Sequence, residues 1–151
     1  MDDDTIELMP IHPDDADRAE LFALYRLSLR EYIEQTFGWN DACQRERFGR
    51  SYQAPDFRWI HVGKARAGYL ALKAGEPAWH VSLLLLYPAY RRRGIGRAAM
   101  RILMARAAEA GRPLTLSCFR CNRPAMDFYR SLAFGVESED EHFAVLRAPM
   151  S

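Results

Sequence analysis

The chain of 151 residues lacks the marks of secreted and membrane proteins. Its three cysteines, Cys43, Cys118 and Cys121, are an odd number and too few for a disulfide framework, which points to a cytoplasmic setting. The longest apolar run, Leu83–Tyr87, falls far short of the roughly 20 residues that cross a bilayer, so no membrane partner is expected. The N-terminus, MDDDTIEL, is acidic where a secretory signal needs an apolar stretch. No internal repeat, low-complexity segment or Pro/Gly/Ser-rich linker divides the sequence, and its length fits one domain over 1–151. A hydrophobic content of 49% with 12% aromatics excludes general disorder.

Lysine is scarce as well: 19 of the 21 basic residues are arginine. The net charge of +1 hides a polarity along the chain. Residues 1–20 carry eight acids against Arg18 alone, whereas residues 88–130 carry ten arginines against Glu109 and Asp127. A basic region inside a neutral chain points to a local anion site, not to a nucleic-acid partner. The interleaved aromatics of a single-strand binder are missing too.

Thr5–Met9 reads as a first strand closed by Pro10 and Pro13. Phe22, Tyr25, Leu29 and Ile33 recur at helical spacing, which predicts a helix over Asp14–Phe37 stopped by Gly38. A second, shorter helix follows, with Asp41 and Gln44 spaced as a capping box. Phe57–Val62 and Gly68–Lys73 read as a hairpin, and His80–Tyr87 as a leucine-rich strand buried on both faces. After an arginine–glycine loop come a helix over Gly96–Ala110, a strand over Leu114–Cys118 and a helix capped by Asn122. Phe134–Glu137 and His142–Arg147 close the chain as a hairpin. The strand–helix–strand order makes the two central strands parallel, and the whole predicts helices on both sides of a mixed sheet.

The loop is the informative segment: Leu86-Tyr87-Pro88-Ala89-Tyr90-Arg91-Arg92-Arg93-Gly94-Ile95-Gly96-Arg97. A strand feeds two spaced glycines that open directly into a helix, whose first N–H groups have no internal partners and attract anions. It is neither a Walker loop nor a dinucleotide fingerprint. The segment resembles the acetyl-CoA loop of the GCN5-related N-acetyltransferases, a strand followed by V-x-P-x-x-[QR]-x-x-G-x-[GA] and a helix. Leu86, Pro88, Arg91, Gly94 and Gly96 fall on that pattern without a gap. Downstream, Asn122, Ala125, Phe128, Tyr129, Ala133 and Phe134 fall on the family's N-x-x-A-x-x-[FL]-Y-x-x-x-G-F. The stretch from Tyr32-Ile33-Glu34 to Gly38-Trp39 is similar to a subgroup of small bacterial members. Three departures stand out: Ala133 and Arg92 occupy glycine positions, and His80 stands where many members carry a carboxylate.

The resemblance implies an α+β protein with the three-layer α/β/α acyl-CoA N-acyltransferase fold, its fourth and fifth strands parallel and splayed. It implies an acetyl-CoA-dependent N-acetyltransferase acting by direct transfer to a primary amine of a small molecule or peptide, with no metal and with a homodimer as an open assembly. Leu84 and Leu86 would bind the cofactor through main-chain groups, and the loop from Arg92 through Arg93, Gly94, Ile95 and Gly96 to Arg97 would hold its pyrophosphate. Arg91, Arg92 and Arg97 would add charge, and Asn122 and Phe128 would complete the cofactor site. Tyr129 would return a proton to the leaving thiolate, and His80 would deprotonate the amine. Ser82 would position a water, while Tyr32, Phe37, Trp39 and His142 would line the acceptor pocket. Each of these residues also has a plain reading: Tyr129 as helix-stripe packing, His80 as a satisfied structural histidine, the aromatics as core. An acyl-CoA-binding module without turnover is the alternative function. Cys118 and Cys121 form a lone CxxC with no further zinc ligands nearby.

Overall fold

A computed structural model of the chain describes residues 5–11 and 14–149. Pro13 and the acidic Asp2, Asp3 and Asp4 lie outside the described residues. Seven strands and four α-helices follow in the order β1 (Ile6–Pro10), α1 (Asp15–Phe37), α2 (Asp41–Ser51), β2 (Phe57–Val62), β3 (Ala65–Lys73), β4 (Trp79–Leu86), α3 (Ile95–Glu109), β5 (Leu114–Phe119), α4 (Arg123–Ser131), β6 (Gly135–Glu139) and β7 (Phe143–Arg147). They build one sheet ordered β1-β2-β3-β4-β5-β7-β6. β4 and β5 are parallel and every other neighbouring pair is antiparallel. The mixed α+β sheet and its parallel central pair are as expected.

Each face of the sheet has its own core. Ile60, Leu70, Val81, Leu116 and Leu146 pack with Met100 and Leu103 of α3 and Met126 of α4. Trp59, Tyr69, Leu83 and Leu85 pack with Leu21, Phe22 and Leu24 of α1 and Phe48 of α2. Helices thus cover both sides, which makes three layers. β4 departs from the expected two-sided burial: Leu83 and Leu85 are buried, but Leu84 and Leu86 are only half covered. The reason is the open cleft beside them, described below.

The helix ends explain how α1 and α2 are held. The Asp14 carboxylate accepts from the Asp17 N–H at 2.8 Å, and Gly38 closes α1 with a positive φ of 76°. α2 is capped one residue earlier than the spacing suggested, because the Asn40 side chain accepts from the Cys43 N–H at 3.0 Å. Asp41 is thereby released to bridge the helices, pairing with Arg26 and Arg45 at 3.0 Å each.

The end of α4 bears directly on the site. The Phe134 N–H donates to the Tyr129 carbonyl at 3.1 Å and the Ala133 N–H to the Arg130 carbonyl at 2.9 Å. This is a Schellman motif, which needs a left-handed residue at Ala133, and φ there is 67°. It fixes Phe134 against the Tyr129 ring, with centroids 5.9 Å apart. A Cβ in that conformation costs on the order of 1 kcal/mol. Ala133→Gly is therefore expected to raise unfolding stability by about that amount, read from urea denaturation midpoints, without moving Tyr129.

Candidate active site

β4 and β5 part company near the middle of the sheet. Their pairing runs Trp79↔Leu114, His80↔Thr115, Val81↔Leu116 and stops there. At that point β4 carries a bulge: Leu72 of β3 faces Val81 and Ala71 faces Leu83, so Ser82 is the extra residue. Beyond the bulge the two strands splay, and a cleft of about 600 Å³ opens between them. Ser82–Leu86 of β4 and Ser117–Phe119 of β5 line it, with Asn122, Ala125 and Tyr129 from the α4 side and α1 and α2 over the top. Backbone groups along splayed strands lack strand partners, which suits an extended, amide-bearing ligand.

Of the arginine–glycine loop, Arg91 lines this cleft, whereas Arg92, Arg93, Gly94, Ile95, Gly96 and Arg97 lie beyond its lining, as does Phe128 of α4. Gly94 caps α3 with φ 78°, and Arg92 is left-handed as well, at φ 62°, which explains why glycine suits that position. The first helical bond runs from the Ala98 N–H to the Gly94 carbonyl, so the donors of Ile95, Gly96 and Arg97 precede the helical ladder. The arginines are held by neutral partners. Arg91 donates to the Leu86 carbonyl at 3.0 Å and to Ser28 Oγ at 3.3 Å, Arg93 to the Ala89 carbonyl at 3.4 Å, and Arg97 to Ser131 Oγ at 2.7 Å. No carboxylate among the described residues neutralises them, so the loop keeps its positive charge. Arg91 engages the main chain of Leu86 that the ligand was expected to use; the carbonyl retains one lone pair. A Cβ on Gly96 would meet Phe128 Cζ at 3.4 Å and Leu86 Cδ1 at 3.7 Å, so Phe128 packs beneath the loop.

Tyr129 lies at the inner end of the cleft, 7% exposed. Burial, and then the neighbouring Cys118 thiol, push its phenol above the ordinary tyrosine range, so it stays protonated. Asn122 caps α4 by accepting from the Ala125 N–H at 3.2 Å and thereby sets the orientation of the tyrosine-bearing helix. Cys118 lines the same region, and burial raises its thiol to about 11, far from thiolate reactivity. Cys118 and Cys121 are both free, and no cluster of metal-ligating side chains occurs among the described residues.

His80 does not line the cleft. It lies on β4 directly beside Thr115 of β5, with Nδ1 2.7 Å from Thr115 Oγ1 and Nε2 2.9 Å from Ser117 Oγ. The Thr115 hydroxyl donates to the Trp79 carbonyl at 3.4 Å, so its oxygen accepts from Nδ1–H. Nε2 is then the acceptor, and the Ser117 hydroxyl donates to it. Burial lowers the imidazole pKa below its ordinary 6.5, which keeps the ring neutral at pH 7. Ser117 itself lines the cleft. The histidine thus reaches the ligand space through a serine.

Of the residues expected around the acceptor, Tyr32, Phe37 and Ser82 line the cleft. Phe37 is 55% exposed and reaches across to His142 and Phe143, edge-on to the former at 4.9 Å. Trp39 and His142 do not line it. Trp39 packs into the second core 6.4 Å from Phe22, because α1 ends at Gly38 and the chain turns back over the helix. His142 sits on the outer side of Phe37, supporting that ring from the β6–β7 turn. Gln44, expected only as a capping residue, and Arg47, Ser51 and Tyr52, which no sequence motif marks, also stand on the cleft wall. Tyr25, on the apolar stripe of α1, and Ser117 of β5 line it as well. The signal for Ser117 was its alternation with Thr115 along a strand paired to His80.

The sequence profile described as the Acetyltransferase (GNAT) family matches residues 20–134, which include the cleft walls, the loop and α4. No curated relative matches the sequence. Among solved structures, the PaiA N-acetyltransferase from Thermoplasma acidophilum, determined in complex with coenzyme A, superposes with a TM-score of 0.77 at 17% identity, over 97% of this chain and 99% of that one. An acetyltransferase from Thermus thermophilus gives 0.73 at 22% identity, over 99% and 100%. Ard1 from Thermoplasma volcanium gives 0.65 at 16%, over 97% and 98%. At these identities the likeness is one of fold. With a matching family profile over most of its length, splayed parallel strands and a cationic loop following β4, the chain belongs to the GNAT acetyltransferase family and is an acyltransferase.

Proposed function

We propose that the protein is an acetyl-CoA-dependent N-acetyltransferase that passes the acetyl group directly to a primary amine. The observation that carries the reading is the meeting, at one opening between β4 and β5, of a protonated tyrosine, a serine backed by a neutral histidine and Arg91 of an uncompensated cationic loop. The thioester of the donor, when bound, supplies an activated acyl carbon and a thiolate leaving group. The loop N–H groups and Arg92 would hold the pyrophosphate, and the free edges of β4 and β5 the amide-bearing arm.

Ser117 would accept a proton from the attacking nitrogen while its own proton passes to His80 Nε2. Tyr129 would donate to the sulfur as the C–S bond breaks and recover its proton from solvent. The amine thereby loses one proton and the sulfur gains one. His80 releases its proton back through Ser117, so both residues return to their starting states. Ser82, at the bulge, is suited to hold a water beside the amine.

The reading is tested by incubating acetyl-CoA with a panel of amines and measuring thiol release together with the mass of the acetylated product. Binding of the donor without thiol release on any amine would instead identify an acyl-CoA-binding module. The loop assignment has its own test in Gly96→Glu. Phe128 and Leu86 block the inward path, so the new carboxylate must turn toward the N–H donors of the first turn and compete for them. Acetyl-CoA affinity is expected to fall at least about tenfold, or roughly 1.4 kcal/mol, by calorimetry. Gly96→Ala, whose Cβ makes only tight contact, controls for packing.

A further inference from the structure

The acceptor end of the cleft is walled by Tyr25, Tyr32, Gln44, Arg47, Ser51 and Tyr52. Among the described residues the cleft lining contains two arginines, Arg47 and Arg91, and no carboxylate. Arg47 is an exception on its own helix. Arg45 pairs with Asp41 at 3.0 Å and Arg50 with Glu46 at 3.8 Å; on the facing helix Arg26 pairs with Asp41 at 3.0 Å and Arg30 with Glu34 at 3.9 Å. Arg47 has no carboxylate partner among the described residues. Its charge lies close enough to Tyr25 and Tyr52 to pull both phenols down against the rise that burial imposes. The net shift of each is still upward, so both remain O–H donors at neutral pH.

A guanidinium and two phenols therefore meet at one wall with no anion among the described residues to satisfy them. The rings beside them form an apolar rim: Tyr25 lies 4.9 Å from Phe48, and Phe48 lies 5.1 Å from Tyr52. We propose that the acceptor is a small amine carrying its own carboxylate and an apolar side chain, an amino-acid-like molecule whose carboxylate docks on Arg47 and the hydroxyls of Tyr25 and Tyr52. The same wall repels polycationic amines, which would need acidic residues that the described lining does not supply. This inference names the acceptor class and rests on the acetyltransferase reading above.

The test separates binding from turnover. With coenzyme A present, calorimetry compares N-acetylphenylalanine, N-acetylleucine and N-acetylmethionine with the N-acetyl derivatives of their decarboxylated amines. The acids are expected to bind at least about tenfold more tightly. Arg47→Gln should bring that ratio close to one, and Arg47→Lys should restore part of it. Equal affinities across the pairs, or no binding of any acid, overturn the proposal. Thiol release with phenylalanine, phenethylamine and spermidine then follows. Fastest release with phenylalanine supports the proposal, and fastest release with spermidine overturns it. A binding preference for the acids without release from any amine would sustain the carboxylate site and remove the transferase reading.

Discussion

Tyr129→Phe is expected to leave acetyl-CoA affinity nearly unchanged and to lower kcat on the order of 10²-fold, the usual contribution of one general acid. The substitution keeps the ring, whose neighbours are Phe128 at 5.1 Å and Phe134 at 5.9 Å, so the packing of α4 persists. It removes only the hydroxyl at the inner end of the cleft. Burial holds that phenol above the ordinary tyrosine range, so the wild type carries the proton at neutral pH. The loss should therefore appear in kcat with KM for acetyl-CoA preserved, the pattern of an interaction made in the transition state alone. Steady-state kinetics with an accepted amine decide the matter. Full turnover in the phenylalanine variant would leave Tyr129 as packing only.

The parts of this site that were legible in the sequence are those encoded within short stretches of chain. Arg91–Gly96 announces a strand-to-helix turn because glycine spacing and the helix start lie within a few residues. Asn122 with Tyr129 is equally local: a cap, one turn later an apolar stripe, and then the left-handed Ala133 that anchors Phe134. The splay was reached only by resemblance, since a bulge at Ser82 is a property of how β4 pairs with β3 and leaves no mark in β4 itself. Trp39 shows the converse error. An aromatic after a helix end suggests a pocket wall, but Gly38 redirects the chain and the indole packs against the core. No sequence pattern marks Arg47 and Tyr52, because that wall of the cleft forms only when α2 folds over the sheet. Residues that meet across elements are set by register and packing, and no single window of sequence contains them.

His80→Gln should lower kcat at pH 7 by about 10²-fold, the lower end of the range for a lost general base. Glutamine can keep hydrogen bonds toward Thr115 and Ser117 but cannot take up a proton, so the variant tests basicity rather than shape. The wild-type profile carries its own signature. Burial lowers the imidazole pKa, so the acid limb attributable to His80 lies below the ordinary histidine range near 6.5, and the ring is already the free base at neutrality. The groups around it do not reverse that direction. Thr115 and Ser117 are neutral, and Lys73, opposite it on β3, is paired with Asp56 at 3.5 Å. In the variant that acid limb should vanish, leaving only the limb set by deprotonation of the amine substrate. Ser117→Ala cuts the same path one step nearer the amine, although water entering from the cleft can partly replace the hydroxyl. Its loss should be smaller, and Ser117→Thr should recover most of it. If serine and histidine act in series, the double variant is no slower than His80→Gln alone, whereas independent roles would multiply the two losses. An unchanged pH profile in His80→Gln would return the histidine to a purely structural role and leave the amine to lose its proton directly to water.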